Sequence, residues 1–445
     1  MAKKKELTYL DVAEAWPRLS ASDRARRLKQ LPPEIAHEFF FDLSASDQAD
    51  CVLALPAGER RPWVRLLAPD DVADVIQEAP FDQRGALLAL LDEPTRAEVT
   101  ALLAYAEDEA GGLMNPRYIR VRPDMTAAEA LGYFRRQAQE RSGGAPETLN
   151  IAYVLDAEAK LLGQVTLPAL VAADPAIRVD QLMRSDMVTI PEAAHQEEVA
   201  HLFAEHGLVA APVIDVSGHM KGVVTADDVV TVVEEEATED IQKLGGSEVL
   251  DAPYLKIALR RMVQKRAGWL AALFLGEMLT ATAMASFEKE IARAVVLALF
   301  VPLMISSGGN SGSQATTLVI RAMALGEVRL RDWWRVLRRE IGTGLALGCV
   351  LALIGFLRIM VWQLASGGKL YGEHYIAIAS TVSLSLVGIV MWGTMAGSML
   401  PFILRRLGFD PASASAPFVA TLVDVSGIVI YFTVASIILA GRLLP

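Results

Sequence analysis

Five long apolar runs in the second half of this 445-residue chain constrain its fold more than any other feature. They cover approximately residues 267–286, 291–320, 341–364, 375–403 and 415–441. Each is long enough to supply the ~20 apolar residues of a membrane-spanning helix. The sequence therefore predicts a membrane domain of five helices. Because five is odd, the chain termini are expected on opposite sides of the membrane.

The charge distribution sets the expected orientation. From residue 251 onward there are 18 Lys+Arg and 10 Asp+Glu, whereas the first 250 residues hold 24 and 43. Basic residues cluster before the first run, between the second and third, and after the fourth. This bias predicts a multi-pass protein of the cell inner (plasma) membrane, with the N-terminus and the acidic half in the cytoplasm and the C-terminus outside. The pattern excludes a simple soluble enzyme and gives no support to nucleic-acid binding.

A repeat of 24 residues organises the first hundred positions. Leu19-Ser-Ala-Ser-Asp23 recurs as Leu43-Ser-Ala-Ser-Asp47 and as Leu67-Ala-Pro-Asp-Asp71. Such a period predicts a small solenoid of stacked helix hairpins, with Asp23, Asp47 and Asp71 at helix N-termini. Asp70 and Asp74 would lie one helical turn apart and could face a common cation.

A second repeat, with strands, follows. Residues 119–172 read strand, helix, strand, strand, helix, and residues 188–238 repeat this order. The pattern resembles a tandem CBS pair, in which a Gly-apolar-apolar-Thr-x-x-Asp ending often holds a nucleotide ribose. Gly222-Val-Val-Thr225-Ala-Asp-Asp228 matches that ending, so the resemblance implies ATP contacts by Thr225 and Asp228. The alternative is that the same two side chains cap a helix.

Two polar features interrupt the apolar runs. The first is the glycine-rich stretch from Ser306 to Gln314, which includes Asn310. We expect its backbone to be freed from regular pairing, so that it must be buried in protein or line water. It could line an ion path, with Asn310 as a pore-lining residue, or serve close helix packing through small residues.

The second feature is Asp424, near the middle of the last run. An ionised carboxylate at that depth needs a partner or an aqueous cavity. On a helix it shares a face with Ala416, Ala420 and Gly427, which leaves room for hydrated ions or for a neighbouring helix. Glu277, in the first run, is a further intramembrane acid. Carboxylate, amide and hydroxyl oxygens suit a hard divalent cation, and the residues alone go no further.

The whole chain resembles the MgtE family of magnesium transporters. The resemblance is carried by Gly308-Gly-Asn-Ser-Gly-Ser-Gln314, Asp410-Pro411-Ala412 and Ala420-Thr-Leu-Val-Asp424-Val-Ser-Gly427, with Gly111-Gly-Leu-Met114 and Glu236-Ala-Thr-Glu-Asp240 in the soluble half. It implies a homodimeric, Mg²⁺-selective channel for Mg²⁺ uptake, with Asp424 holding a hydrated ion in the pore. It also implies that cytoplasmic Mg²⁺ closes the pore through Asp70, Asp74, Asp228, Glu236, Glu239 and Asp240.

The predicted architecture is thus a multi-domain membrane protein. It comprises an all-α helical-repeat domain (1–112), an α+β tandem CBS pair (113–240), a connecting "plug" helix (241–266, continuous over 247–266) and a five-helix transmembrane domain (267–445). Expected partners are a second copy, membrane lipid and divalent cations, and the expected cofactors are Mg²⁺ and ATP. A membrane sensor without transport and an ion-coupled carrier are the competing functions. No nucleophile arrangement or phosphate-binding loop favours an enzyme.

Overall fold

The computed structural model describes residues 7–139, 150–250, 254–255 and 257–441. The chain forms two compact units, one ending at Glu234 and one beginning at Glu235. The first unit holds the helical repeat and two small sheets. The second holds all the candidate membrane spans among the described residues.

The helical repeat is confirmed, with two short helices in each 24-residue period. Its helices are α1 (Tyr9–Ala15), α2 (Ala21–Leu28), α3 (Pro33–Phe41), α4 (Ala45–Ala54), α5 (Ala57–Val64), α6 (Pro69–Glu78), α7 (Phe81–Leu88) and α8 (Glu93–Leu102). Asp23, Asp47 and Asp71 each lie in the first turn of a helix, as predicted. The Ser20 and Ser44 hydroxyls accept hydrogen bonds from the backbone N–H of Asp23 and Asp47, which caps α2 and α4.

Both halves of the predicted CBS pair have the expected element order. The first half contains α9 (Ala110–Leu113), β1 (Ile119–Val121), α10 (Ala127–Gln139), β2 (Ile151–Leu155), β3 (Leu161–Thr166) and α11 (Leu167–Ala172). The second contains α12 (Val179–Leu182), β4 (Ile190–Pro191), α13 (Gln196–His206), β5 (Ala210–Ile214), β6 (Met220–Thr225) and α14 (Ala226–Leu244). In each sheet the first strand runs parallel to the second, and the third is antiparallel to it.

The second unit contains five helical segments long and apolar enough to cross a membrane, which confirms the predicted number. Its helices are α15 (Leu259–Ser286), α16 (Glu288–Arg293), α17 (Val295–Ala298), α18 (Val301–Ala324), α19 (Trp333–Ala365), α20 (Tyr375–Arg406) and α21 (Ala416–Ile438). Helices α18, α20 and α21 share a core that includes Met304, Ile389 and Val423. Helix α15 packs on the edge of this core through the partly buried Ala283 and Met284, and it has a single buried residue, Thr280.

The predicted continuous helix over residues 247–266 is wrong. Helix α14 ends at Leu244, the next helix begins at Leu259, and residues 245–250 are not helical. Gly246 adopts φ of +72°, a left-handed conformation that stops a helix and that glycine adopts without strain. A Cβ atom at this position would also come within 2.8 Å of Trp269 Nε1. Residues 251–253, which the prediction also covered, lie outside the described residues.

Candidate ion path and regulatory acids

The structure brings the two polar membrane features together. Gly309 of α18 faces Ala420 and Asp424 of α21. A Cβ atom added at Gly309 would lie 3.3 Å from Ala420 Cβ and 3.6 Å from Asp424 Oδ1. The missing side chain therefore leaves space directly beside the carboxylate.

The glycine-rich stretch is helical throughout, because it lies within α18. The expectation that its backbone would be freed is therefore wrong. Its glycines instead allow close packing against α20: a Cβ atom at Gly393 would approach Gly308 O to 2.5 Å, and one at Gly397 would clash with Gly312 O. The Thr316 hydroxyl joins the two backbones by donating to Gly312 O (2.9 Å) and Gly397 O (2.8 Å). The packing interpretation of the motif therefore holds for its glycine face.

The amide side chains of the motif lie on another face. Asn310 and Gln314 are both exposed in the single chain, and Asn310 Nδ2 donates to Ser306 Oγ at 3.3 Å. Amides on the exposed face of a membrane helix are costly against lipid. This face is therefore suited to contact with water or with another protein surface.

Asp424 is half-buried, and its carboxylate has no hydrogen bond or ion pair among the residues that the structure describes. Glu277 of α15 is close enough for its charge to act on it. A carboxylate placed in this way, beside a glycine and without a counter-ion from the chain, is suited to receive a cation.

The predicted cytoplasmic acids differ in burial and in the contacts that they make. Asp70 is buried and accepts a hydrogen bond from Asn115 Nδ2 at 3.1 Å, whereas Asp74, one turn along α6, is exposed. Asp70 therefore has a structural role in this conformation. Glu236 and Asp240 lie on α14 with Glu239, which pairs with Lys243.

A carboxylate cluster that the sequence interpretation missed lies nearby. Asp71 of α6 acts electrostatically on Asp228, as does the adjacent Asp227. Burial is the main cause that raises the pKa of Asp228 to about 6; hydrogen bonds from Thr225 lower it, and the charges of Asp227 and Asp71 raise it further. Tandem aspartates, 70–71 and 227–228, were the available sequence signal. No group of three or more His, Cys, Asp or Glu side chains is arranged to hold a metal ion in the described part of the chain.

The two residues predicted to contact a nucleotide, Thr225 and Asp228, are hydrogen-bonded to each other. Thr225 N and Thr225 Oγ1 both donate to Asp228 Oδ2, at 3.1 and 2.8 Å. Thr225 is itself buried. The helix-capping alternative is therefore realised at the start of α14.

Lys243 connects the end of α14 to the loop before α21. Its Nζ lies 2.6 Å from Asp410 Oδ2 and also contacts Glu239 Oε1. Partial burial lowers the pKa of Lys243, but the hydrogen bonds to Asp410 and Glu239 outweigh it and hold the pKa above its usual range. Leu244 packs beside this bridge on Ala412 and Ala414. The positively charged ammonium of Lys243 therefore links Glu239 of α14 to Asp410 of the loop before α21.

Family models match three parts of the chain. The intracellular N domain of MgtE matches residues 7–108, a CBS domain matches 179–235, and the MgtE divalent cation transporter domain matches 301–434. The magnesium transporter MgtE of Thermus thermophilus is 43% identical over 350 residues, which cover 79% of this chain and 74% of that protein. The chain belongs to the MgtE family of magnesium transporters.

Another MgtE-family relative, the magnesium transporter MgtE of Bacillus subtilis, is 30% identical over 78% of this chain and 74% of its own length. The solved cytosolic domain of an Mg²⁺ channel MgtE in complex with ATP is 38% identical, with a TM-score of 0.47 over 51% of this chain and 91% of that structure. The family consists of transporters rather than enzymes, which confirms that part of the prediction. Membership favours transport over the membrane sensor without transport.

Proposed function

We propose that this MgtE-family magnesium transporter works as a homodimeric Mg²⁺ channel with its ion path beside Asp424. One observation carries the proposal: a carboxylate within a membrane span, next to a glycine, has no protein partner among the described residues. An ionised acid at the centre of a span costs about 2.5–3.5 kcal/mol on insertion scales. Water and a passing cation remove that cost.

The chemistry of the site favours a hydrated ion. Mg²⁺ dehydrates reluctantly, keeps several waters and is commonly held by one or two carboxylates. Asp424 can accept hydrogen bonds from the water ligands, and the exposed amides of Asn310 and Gln314 add polar groups one helix away. Asn310 is therefore proposed to line the path.

A second copy would complete the path. Most soluble oligomers have closed symmetry, and twofold dimers are the commonest of them. In a dimer with the exposed polar face of α18 near the axis, two Asp424 side chains would flank one ion, and Asn310 would be removed from lipid.

The test is Mg²⁺ uptake into proteoliposomes by the Asp424→Asn variant. We expect flux to fall to background, with wild-type flux for Glu288→Gln, which neutralises an exposed acid outside the candidate spans. Wild-type flux in Asp424→Asn would refute the pore assignment. Flux that requires a proton or Na⁺ gradient would favour a coupled carrier. Cross-linking of Asn310→Cys in a Cys349→Ser background tests the dimer.

Closure by cytoplasmic Mg²⁺ is the second part of the proposal. The first 250 residues carry 43 acids against 24 bases, so bound divalent cations relieve repulsion and favour a compact state. Asp228, whose charge interacts with those of Asp71 and Asp227, is one candidate sensor, and Asp74, Glu236 and Asp240 are others. Asp70 and Glu239 are also candidates, and to bind Mg²⁺ they would have to release Asn115 and Lys243 respectively.

To test the gate, Mg²⁺ flux is measured at increasing cytoplasmic Mg²⁺ concentrations in the wild type and in an Asp227→Asn/Asp228→Asn double variant. We expect inhibition to need several-fold more Mg²⁺. An unchanged inhibition curve would remove this cluster from the gate.

ATP modulation through the CBS pair is the third part. Both Thr225 hydrogen bonds end on Asp228 Oδ2, so ribose hydroxyls would have to use Oδ1. The affinity for ATP is measured by titration calorimetry for the wild type and for Asp228→Asn. Equal affinities would refute a contact between Asp228 and the ribose.

A further inference from the structure

Three contacts fix the register of α15 against α21. The Trp269 and Phe418 rings lie with centroids 6.4 Å apart, a Cβ atom at Gly276 would lie 2.8 Å from Thr421 Cγ2, and the Phe287 and Phe432 rings stack with centroids 5.1 Å apart. These pairs ascend together along both helices, so the helices run parallel. The last two pairs share a residue-number offset of 145.

This register places Glu277 level with Leu422, within one helical turn of Asp424. The electrostatic effect of Glu277 on Asp424 agrees with that placement. Glu277 lies ten residues beyond the start of its apolar run, which is about 15 Å into the membrane. Its side chain is exposed in the chain and has no hydrogen bond or ion pair within the described residues.

A further polar group lies at a similar depth. Thr280, one turn after Glu277, is level with Val425 in this register. Its side chain is only 6% exposed, and its hydroxyl has no partner within the described residues. A buried hydroxyl at membrane depth without a partner is costly unless water or a ligand reaches it. Glu277, Asp424 and the unpartnered hydroxyl of Thr280 therefore lie within about one helical turn of one another along the paired helices α15 and α21.

We propose that Glu277 is a second carboxylate of the ion path, which holds a hydrated divalent cation together with Asp424 between α15 and α21. The inference rests on the proposed channel function and adds a residue that sets selectivity. Two carboxylates attract a divalent ion twice as strongly as a monovalent one at the same distance. Glu277 would thus favour Mg²⁺ over Na⁺ and K⁺ without removing its water shell.

The test compares Glu277→Gln, Glu277→Asp and Asp424→Asn with the control Glu288→Gln. Mg²⁺ flux into proteoliposomes is measured against Mg²⁺ concentration, Na⁺ competition and block by hexaammine cobalt(III), an exchange-inert analogue of hydrated Mg²⁺. For Glu277→Gln we expect roughly three- to tenfold lower flux at subsaturating Mg²⁺, stronger Na⁺ competition and weaker block, with partial recovery in Glu277→Asp. Glu288→Gln should match wild type.

The outcomes separate this inference from the channel proposal. If Asp424→Asn keeps wild-type flux, the pore assignment fails and Glu277 loses its role with it. If Asp424→Asn abolishes flux while Glu277→Gln keeps wild-type flux, competition and block, this inference alone is overturned.

A chemical variant covers the case in which Glu277→Gln does not fold. Glu277→Cys in the Cys349→Ser background is purified, checked by gel filtration, and treated with a negatively or a positively charged thiosulfonate. Recovery of flux by the negative reagent alone supports the proposal. No response to either reagent, with Asp424→Asn inactive, overturns it.

Discussion

The contact between α18 and α20 makes Gly397→Ala the most sharply defined perturbation. The new methyl would clash with Gly312 O and would lie 2.8 Å from both Gly312 C and Thr316 Oγ1. Two of these three atoms belong to the backbone, so the helices must separate. Overpacking of this kind costs about 1–3 kcal/mol. Loss of the hydrogen bond from Thr316 to Gly397 O adds about 1 kcal/mol.

The expected destabilisation is therefore about 2–4 kcal/mol, or roughly 5–15 °C in the midpoint of thermal unfolding in detergent. Mg²⁺ flux should fall as well, because α18 carries Gly309 to its place beside Asp424. Gly342→Ala is the matched control: it makes the same change on the neighbouring span α19, where an added Cβ atom meets nothing within 4 Å. Equal melting midpoints and equal flux for the two variants would refute the packing argument.

Three further predictions concern the acidic and linking residues. The raised pKa of Asp228 means that the folded chain holds a proton that the unfolded chain has lost between about pH 4 and pH 6. The free energy of unfolding of the chain should therefore fall as pH rises through that window. Thermal melts of Asp228→Asn should lack this trend, and identical pH profiles of the melting midpoint for wild type and variant would contradict the prediction. Lys243→Met should release the end of α14 and raise amide exchange over residues 245–250 at least about fivefold, whereas the control Lys221→Met, which removes a partner of Asp215, should not. Asn115→Ala removes a donor from buried Asp70 and should destabilise the chain by about 1–3 kcal/mol in thermal unfolding, and an unchanged midpoint would argue against a structural role for that hydrogen bond.

Most of the fold could be predicted because the helices and strands depend on patterns among residues that are close together in the sequence. The 24-residue period predicted the helix hairpins, Asp23, Asp47 and Asp71 marked three helix starts, and the two strand repeats predicted both sheets. The predicted continuous helix over residues 247–266 failed because residues 247–250 are not helical and the next helix begins only at Leu259. Gly246, just before this segment, adopts a left-handed conformation and lies so close to Trp269, which is distant in sequence, that a Cβ atom would not fit.

The candidate site was predictable only in part, for the same reason. Asp424 and the glycine-rich stretch stood out individually, but only the fold places Gly309 beside the carboxylate. The bridge from Lys243 to Asp410 joins residues 167 positions apart, and the cluster of Asp71 with Asp228 joins two domains of the first unit. The sequence contains no pattern of spacing from which such long-range pairs could be predicted.

The glycine seam between α18 and α20 also limits how the membrane unit can move. With backbone against backbone at Gly308, Gly312, Gly393 and Gly397, one helix cannot slide past the other without steric collision. Helices α18 and α20 should therefore move together as a single rigid body. Helix α15 has one buried residue and packs mainly along α21, and its close glycine contact, at Gly276, meets the side chain of Thr421 rather than backbone atoms. Widening or narrowing of the passage is accordingly expected to come from displacement of α15, and a fluorescence label there should report it.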